Sequence, residues 1–328
     1  MRAITFSRFG NASDVIEIQE VAKPTAGEGE VLVKVMTSTP NPSDTNKRNG
    51  SFPNLLDDGY VIPHSDGAGI VEAVGSGVSQ DLVGKRVWIF NAQYGRRFGT
   101  CAEYITLGEE YVVALPDNVS YSQGACLGIP VMTAHRCVNA DGDVSGKTVL
   151  VSGGAGRVGN YAIQFAKLAG AKVIATIVEE RDREVCISAG ADAVVNALEE
   201  GAAEAILAAN GGERVDRIIE VQFGANLNLN LQIIALNGII ATYNSTIVRE
   251  PVLPFFQMMY QCPTIPFIIV YAMPLDARAY AIKDITECLE QEKLNIRIAE
   301  EVPMEQCDHA HSLIERGEVR GAVVVTIE

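Results

Sequence analysis

The chain has 328 residues, enough for two domains at about 150 residues each and for a sizeable buried core. With 26 basic against 41 acidic residues, its formal charge of −15 speaks against partners that offer phosphate, whether nucleic acid or anionic lipid. Apolar residues make up 48% and charged residues 20%, the balance of a globular protein, and no apolar run reaches the ~18 residues of a membrane span.

In chain order, the beginning (MRAITFSRFG) lacks the apolar core of a signal peptide. The 7 cysteines are odd in number and form no CxxC pair, so reduced thiols in a cytoplasmic setting are expected. Short β-rich runs at 31–36, 69–74, 86–90, 103–106 and 111–114 alternate with Gly/Pro/Asn turns, which predicts a mainly β first domain. The texture changes near residue 121. From there strands at 148–152, 172–178, 193–195, 217–221 and 239–242 alternate with helical spacing, the pattern of a parallel sheet covered on both faces. Helices are predicted near 277–290 and 304–316, and a last strand at 322–327.

Residues 154–159 read G-A-G-R-V-G, with Gly154, Gly156 and Gly159 in the G-x-G-x-x-G spacing. The run follows a predicted strand and opens a predicted helix, the context that gives the motif its meaning. Glycine serves a tight turn, lets backbone approach a pyrophosphate and lets helix pack on strand, while the helix N-terminus offers amides and a positive dipole end. Ala155, Arg157 and Val158 complete the turn. The next strand ends at residues 176–178, and close to this end an NAD site usually carries an acid for the ribose hydroxyl, where this chain has Thr176. A neutral residue there, followed by Arg181 and Arg183, favours a 2′-phosphate and hence NADPH over NADH, although Glu179 and Glu180 oppose it.

The ordered segments 41–44 (NPSD), 62–69 (IPHSDGAG), 71–78 (VEAVGSGV), 84–87 (GKRV), 128–134 (GIPVMTA), 149–159 (VLVSGGAGRVG), 166–176 (AKLAGAKVIAT) and 189–192 (AGAD) resemble the medium-chain dehydrogenase/reductase superfamily, in its zeta-crystallin-like quinone oxidoreductase branch. The resemblance runs from Met1 to Glu328. It implies an α/β protein: a Rossmann doubly wound parallel sheet over 123–274 and a GroES-like mainly-β catalytic domain from 1–122 and 275–328. It also implies a homodimer or homotetramer formed by pairing of Rossmann sheets. The apolar run 265–273 is an edge strand for that contact or, equally, an internal strand.

Zinc-dependent relatives hold their metal with a Cys in the early loop and the His of a Gly-His-Glu turn. Here the loop 37–44 has no cysteine, and the turn reads His64-Ser65-Asp66, with the histidine in the glycine position and Ser65 in place of the ligand. No catalytic metal is therefore expected. Cys307, His309 and His311 lack a further thiol or carboxylate in register and read as ordinary helix residues. The resemblance puts Asn41, Arg48, Phe52 and His64 in the substrate pocket, and Thr133 and Asn244 beside the cofactor. Asn41 would donate to a carbonyl or quinone oxygen, or else close an Asx-type turn before Pro42. Enoyl thioester reductases have a proton-donating tyrosine where this chain has Phe52, which cannot donate but can stack on a flat acceptor.

The expected function is a zinc-independent, NADPH-dependent oxidoreductase acting on quinones or related conjugated carbonyls. Alternatives are an enoyl thioester reductase and an NADPH-binding, crystallin-like protein with little turnover. No nucleic-acid or membrane partner is expected.

Overall fold

Every position of 148–151 and all but the first of 172–177 is apolar or threonine, and such runs become strands buried on both faces. In the computed structural model, which describes residues 1–327, the chain divides into two compact units. One is Met1–Ile129 with the chain from Ile282 onward; the other is Pro130–Ala281. Glu328, inside the span predicted for the catalytic domain, lies outside the described residues.

The first unit begins with β1 (Arg2–Thr5), α1 (Ala12–Val15), β2 (Glu17–Glu20), β3 (Glu30–Thr39), α2 (Pro42–Arg48), β4 (Asp66–Val74), β5 (Arg86–Ile89), β6 (Tyr104–Gly108), β7 (Val112–Ala114) and α3 (Tyr121–Gly124). The second contributes α4 (Ile129–Asn139), β8 (Thr148–Val151), α5 (Arg157–Leu168), β9 (Lys172–Ile177), α6 (Arg183–Ser188), β10 (Ala193–Asn196), α7 (Ala202–Ala209), β11 (Val215–Glu220), α8 (Phe223–Ile233), β12 (Ile234–Thr242) and α9 (Phe255–Gln261). The helix α10 (Leu275–Glu290) leads back to the first unit, which closes with β13 (Ile298–Pro303), α11 (Cys307–Arg316) and β14 (Ala322–Thr326).

In the first unit one sheet runs β13-β14-β3-β4-β5-β7, with β6 also paired to β3, and β1 pairs with β2 separately. Val31, Val33, Val35, Ile89, Ile105, Val323 and Val325 build its core, and α11 adds Leu313 and Ala310. The strand β14 pairs antiparallel with β3 through Val325 opposite Ser38, so residues late in the chain complete a sheet begun early. The unit ends at Ile129, a few residues beyond the change in sequence texture near 121, because α3 packs on β3, β4 and β5 and the Ile129 amide donates to Asp66.

The second unit is a five-stranded parallel sheet, β10-β9-β8-β11-β12, the order of a doubly wound Rossmann fold. Leu150, Ile174, Ile218 and Ile240 form its core with Leu227 and Leu231 of α8. Residues 264–268 continue the sheet beyond β12 by parallel bridges, Ile239 to Thr264 and Thr242 to Phe267. The 265–273 run is thus an edge segment in this chain, and it turns Phe267 and Ile269 outward. Three strands went unread in the sequence, β1, β2 and β13. Acidic residues interrupt β2 and β13, and only the last strand of the pair β13–β14 carries the apolar signal.

Candidate functional site

In the second unit the site is built from backbone. The strand β8 ends in Ser152, and Gly153 makes the turn at φ 63°, so the left-handed residue is the glycine just before the motif. The three motif glycines then do different things. A Cβ on Gly154 would lie 2.8 Å from the Ala175 Cβ and 2.9 Å from the Cys186 Sγ, and one on Gly159 would lie 2.3 Å from the Gly153 carbonyl oxygen. Both are packing glycines. A Cβ on Gly156 would meet only that carbonyl, at 3.3 Å, so the space over the first turn of α5 is clear. Gly156 is the N-cap of α5 and no side chain caps it. The first-turn amides at Val158 and Gly159 have no intrahelical acceptor, which leaves donors and the positive dipole end for an anion. These features fit a dinucleotide pyrophosphate.

Thr176 is buried at the end of β9, where its hydroxyl oxygen accepts the Gly153 N–H at 3.3 Å. The two arginines expected beside it are already engaged. Arg181 Nε lies 2.5 Å from a Glu179 carboxylate oxygen, and Arg183 pairs with Glu180 while donating to the Val194 carbonyl at 2.6 Å. Arg183 is the more firmly held, so Arg181 is the arginine freer to turn to a ligand. Thr133 is buried on α4.

Asn244 lies beyond the end of β12, on the wall of a cavity of about 520 Å³ lined also by Phe223, Tyr243, Arg249, Phe267 and Ile269. Burial holds the Tyr243 phenol well above its ordinary pKa, so it stays neutral. Below this wall sits Glu220, which the sequence reading missed. Its carboxylate is fully buried and accepts from Ser152 Oγ (3.0 Å), the Gln222 N–H (2.5 Å), Asn226 Nδ2 (2.9 Å) and Asn230 Nδ2 (2.8 Å). Four donors compensate the buried charge and tie β11, the glycine turn and α8 together. An acid inside the predicted strand 217–221, just before an asparagine-rich helix, was the available signal.

In the first unit the residues expected around a substrate have diverse placements. Phe52 is 55% exposed, at the start of a 3-10 turn (Pro53–Leu56). Asn41 is buried at the N-cap of α2; its N–H donates to Asp44 at 2.8 Å and its amide Nδ2 to Asp66 at 2.8 Å. That amide is engaged by Asp66, a different partner from the expected carbonyl. Arg48 and His64 are both 0% exposed and face the unit's interior. Arg48 pairs with Glu315 and donates to the Gly10 carbonyl, and its Nε lies 3.4 Å from His311 Nδ1.

Those contacts belong to a directed chain. The Thr100 hydroxyl donates to the Asp66 carbonyl at 2.7 Å and therefore accepts from Ser38 Oγ, also at 2.7 Å. Ser38 in turn accepts from His64 Nδ1 at 2.8 Å. From the other end Arg48 can only donate, so His311 carries its proton on Nε2 and gives it to His64 Nε2, 2.9 Å away. Both ends assign the same tautomers. Burial pushes the His64 imidazole down to about 4 and lowers His311 as well, so both rings are neutral at pH 7.

The segments that would carry a catalytic zinc meet around a cation the sequence reading overlooked. Lys47 Nζ is 3.7 Å from Asp44, 3.4 Å from Ser65 Oγ and 3.2 Å from Gln93 Oε1. Burial lowers its pKa, with Asp44 and Asp66 opposing that shift. An ammonium among the oxygens of Asp44, Ser65 and Gln93 does not fit a zinc held between those segments.

Residues 27–117 match the family model described as alcohol dehydrogenase GroES-like domain, and 158–287 match the one described as zinc-binding dehydrogenase. A quinone oxidoreductase of Rattus norvegicus is 34% identical over 240 residues, 73% of this chain and 71% of its own length. A 2-methylene-furan-3-one reductase of Solanum lycopersicum is 34% identical over 206 residues, 61% of this chain and 53% of its own length. Among solved structures, a mycobacterial protein complexed with NADPH superposes with a TM-score of 0.88 at 25% identity, covering 99% of this chain and 100% of that one. With its parallel sheet, glycine turn and GroES-like unit, the chain belongs to the medium-chain dehydrogenase/reductase superfamily, in the zeta-crystallin-like quinone oxidoreductase branch.

Proposed function

We propose that the protein is an NADPH-dependent oxidoreductase that reduces quinones or related conjugated carbonyls without a catalytic metal. The observation that carries this is the clear space over Gly156 at the uncapped N-terminus of α5, in a chain of this family. The similarity to a quinone oxidoreductase and to a furanone reductase supports the acceptor class, and that to a protein solved with NADPH supports the cofactor. The bound nicotinamide would supply the hydride.

The chain's own residues bind and orient. In this reading the amides of Val158 and Gly159 hold the pyrophosphate, with Gly154, Ala155, Gly156 and Gly159 shaping the turn. Arg181 leaves Glu179 for the 2′-phosphate, beside Thr176. Thr133 and Asn244 line the nicotinamide end, and Phe52 stacks on a flat acceptor. Asn41 acts as a positioning residue by fixing Asp66, and protons come from water. The catalytic domain is the first unit, approximately 1–122 with 275–328, and 123–274 binds the dinucleotide. A homodimer paired through the 264–268 edge accounts for the outward Phe267, at 75% exposure. Among the described residues no helix is long and apolar enough to cross a membrane. The reading includes a cytoplasmic location and no nucleic-acid partner.

The test is steady-state oxidation of NADPH with simple quinones, enones and enoyl-CoA thioesters, with and without a chelator. Turnover of quinones or enones that survives chelation supports the reading. Turnover of enoyl-CoA alone, or tight NADPH binding with no turnover of any acceptor, overturns it.

A further inference from the structure

We propose that Arg249 selects acceptors that carry an anionic substituent, a carboxylate or a phosphate ester, by pairing with that group on the wall of the second unit's cavity. The assignment rests on the reading of this cavity, with Asn244 on its wall, as the place where nicotinamide and acceptor meet. The cavity, about 520 Å³, lies beyond the C-terminal ends of β11, β12 and the 264–268 edge, where an open parallel sheet binds its ligands. Phe223, Leu253, Ile265, Phe267 and Ile269 make most of the wall apolar, a surface for a flat ring. Among the described residues that line it, Arg249 alone is charged.

The other arginines near the sheet are already committed. Arg181 and Arg183 face Glu179 and Glu180, while Arg214 and Arg217 donate to backbone carbonyls. Arg249 is exposed, and among the described residues no carboxylate or carbonyl accepts from it. Glu250, next in the chain, is exposed and does not line the cavity. Glu220 is buried, and its charge is met by four donors. A guanidinium with open donors beside an apolar wall matches a carboxylate or phosphate, which its planar fork can take at two points. The chain's charge of −15 repels such a substrate at large, so taking one requires a local cation of this kind.

The loop that carries Arg249 is anchored. Gln222 Oε1 accepts the Thr246 and Ile247 N–H groups at 3.0 and 3.1 Å, and its Nε2 donates to Thr246 Oγ1 at 2.8 Å. Ser245 Oγ accepts the Gly224 N–H at 2.9 Å and donates to the Val248 carbonyl at 2.5 Å. A Cβ on Gly224 would lie 2.2 Å from that same carbonyl oxygen, so the glycine is what lets the loop seat on the start of α8. The residue before Arg249 is therefore fixed by bonds to α8, and little ordering remains for the ligand to supply.

The test compares two matched pairs: a carboxylated quinone against its methyl ester, and a quinone bearing a phosphate ester against the parent alcohol. Binding of each is titrated on the protein loaded with NADP+, and KM is measured with NADPH. For one or both pairs the wild type should favour the anion by about tenfold, the scale of one charge-assisted contact on an exposed wall. The pair that shows the preference identifies the anion. Arg249→Gln should bring that ratio to about one, Arg249→Lys should keep part of it, and Arg249→Glu should invert it. Arg249 holds no other group, so the melting temperature of each variant should stay with the wild type, and the ratio cancels any general loss. Equal binding of anion and neutral partner in both pairs overturns the assignment, as does a preference that survives Arg249→Glu. It is equally overturned if the variants weaken NADPH as much as the anionic quinone, which would give Arg249 to the cofactor. The titration needs no turnover. Hydride transfer to no quinone at all would defeat the proposed reaction, whereas equal binding defeats the role of Arg249.

Discussion

The glycine turn of the second unit and the buried polar cluster of the first are built on opposite principles. The turn is made of backbone within a stretch from Gly153 to Gly159, and its chemistry is amides and a helix dipole. The cluster is made of side chains, and its members come from β3, the turn before β4, the loop before β6 and α11. A backbone site announces itself because glycine is needed where a side chain would collide. A side-chain site assembled across more than 200 residues announces nothing locally.

That contrast can be broken or sharpened by mutation. The largest effect is expected for Arg48→Ala, which leaves the Gly10 carbonyl and His311 Nδ1 without their donor around an empty space, while Glu315 keeps its contact with solvent. A loss of about 3 kcal/mol in unfolding free energy is expected, measured by chemical denaturation. NADPH affinity should be unchanged if the cluster is structural; a large loss of affinity at intact stability would return Arg48 to the binding site. Next comes Gly156→Val. Its Cβ would meet only the Gly153 carbonyl oxygen, at 3.3 Å, so the melting temperature should fall little while NADPH affinity drops by about 100-fold or more, close to 2.7 kcal/mol. Gly159→Val is its control, because the Cβ would collide with a carbonyl 2.3 Å away and the second unit should lose stability. If both variants behaved alike, the division into clearing and packing glycines would be wrong.

Arg181→Ala should weaken NADPH by about 1–3 kcal/mol and leave NADH nearly unchanged, as titration with each cofactor would show. Arg183→Ala should do less, since that guanidinium is held by Glu180 and the Val194 carbonyl. Equal losses for both cofactors would remove the 2′-phosphate from the account. The smallest effect concerns thiols. Cys262 is exposed, whereas burial raises Cys137 and Cys186 to about 12. A native chain should therefore show one fast alkylation, at Cys262, read by peptide mass mapping. Rapid labelling of Cys186, whose sulfur lies against the turn at Gly154, would mean that the turn opens.

The parallel sheet was legible because β8 and β9 are apolar along nearly their whole length. The glycine motif was legible because its context repeats the strand-turn-helix logic of phosphate binding. Arg48 and His64 pack against side chains to which no local pattern points. Their partners, His311 and Glu315, lie about 250 residues away and no periodicity links them. Glu220 and Lys47 escaped for a related reason: a buried charge reads as an exposed one until its compensating donors and acceptors are known. The His-Ser-Asp turn shows the limit from another side. The histidine stands where the resemblance expects a glycine, and φ 77° shows what that position asks of the backbone.

The place of β14 has a consequence for how the chain is made. This strand lies between β13 and β3, yet it is synthesised after every other strand of the sheet. At about 5–20 residues per second, the ribosome needs roughly 10–40 s to pass from Ala114 to Ala322. Throughout that interval residues 37–38 of β3 lack the partners at 325–326, and a short edge of Thr37 and Ser38 stays unpaired. The strands of the second unit all lie between Thr148 and Thr242, so that unit can fold while the first still waits. Misfolding during synthesis should therefore concentrate at β3, and a chaperone that covers this edge would act before the oxidoreductase exists as such.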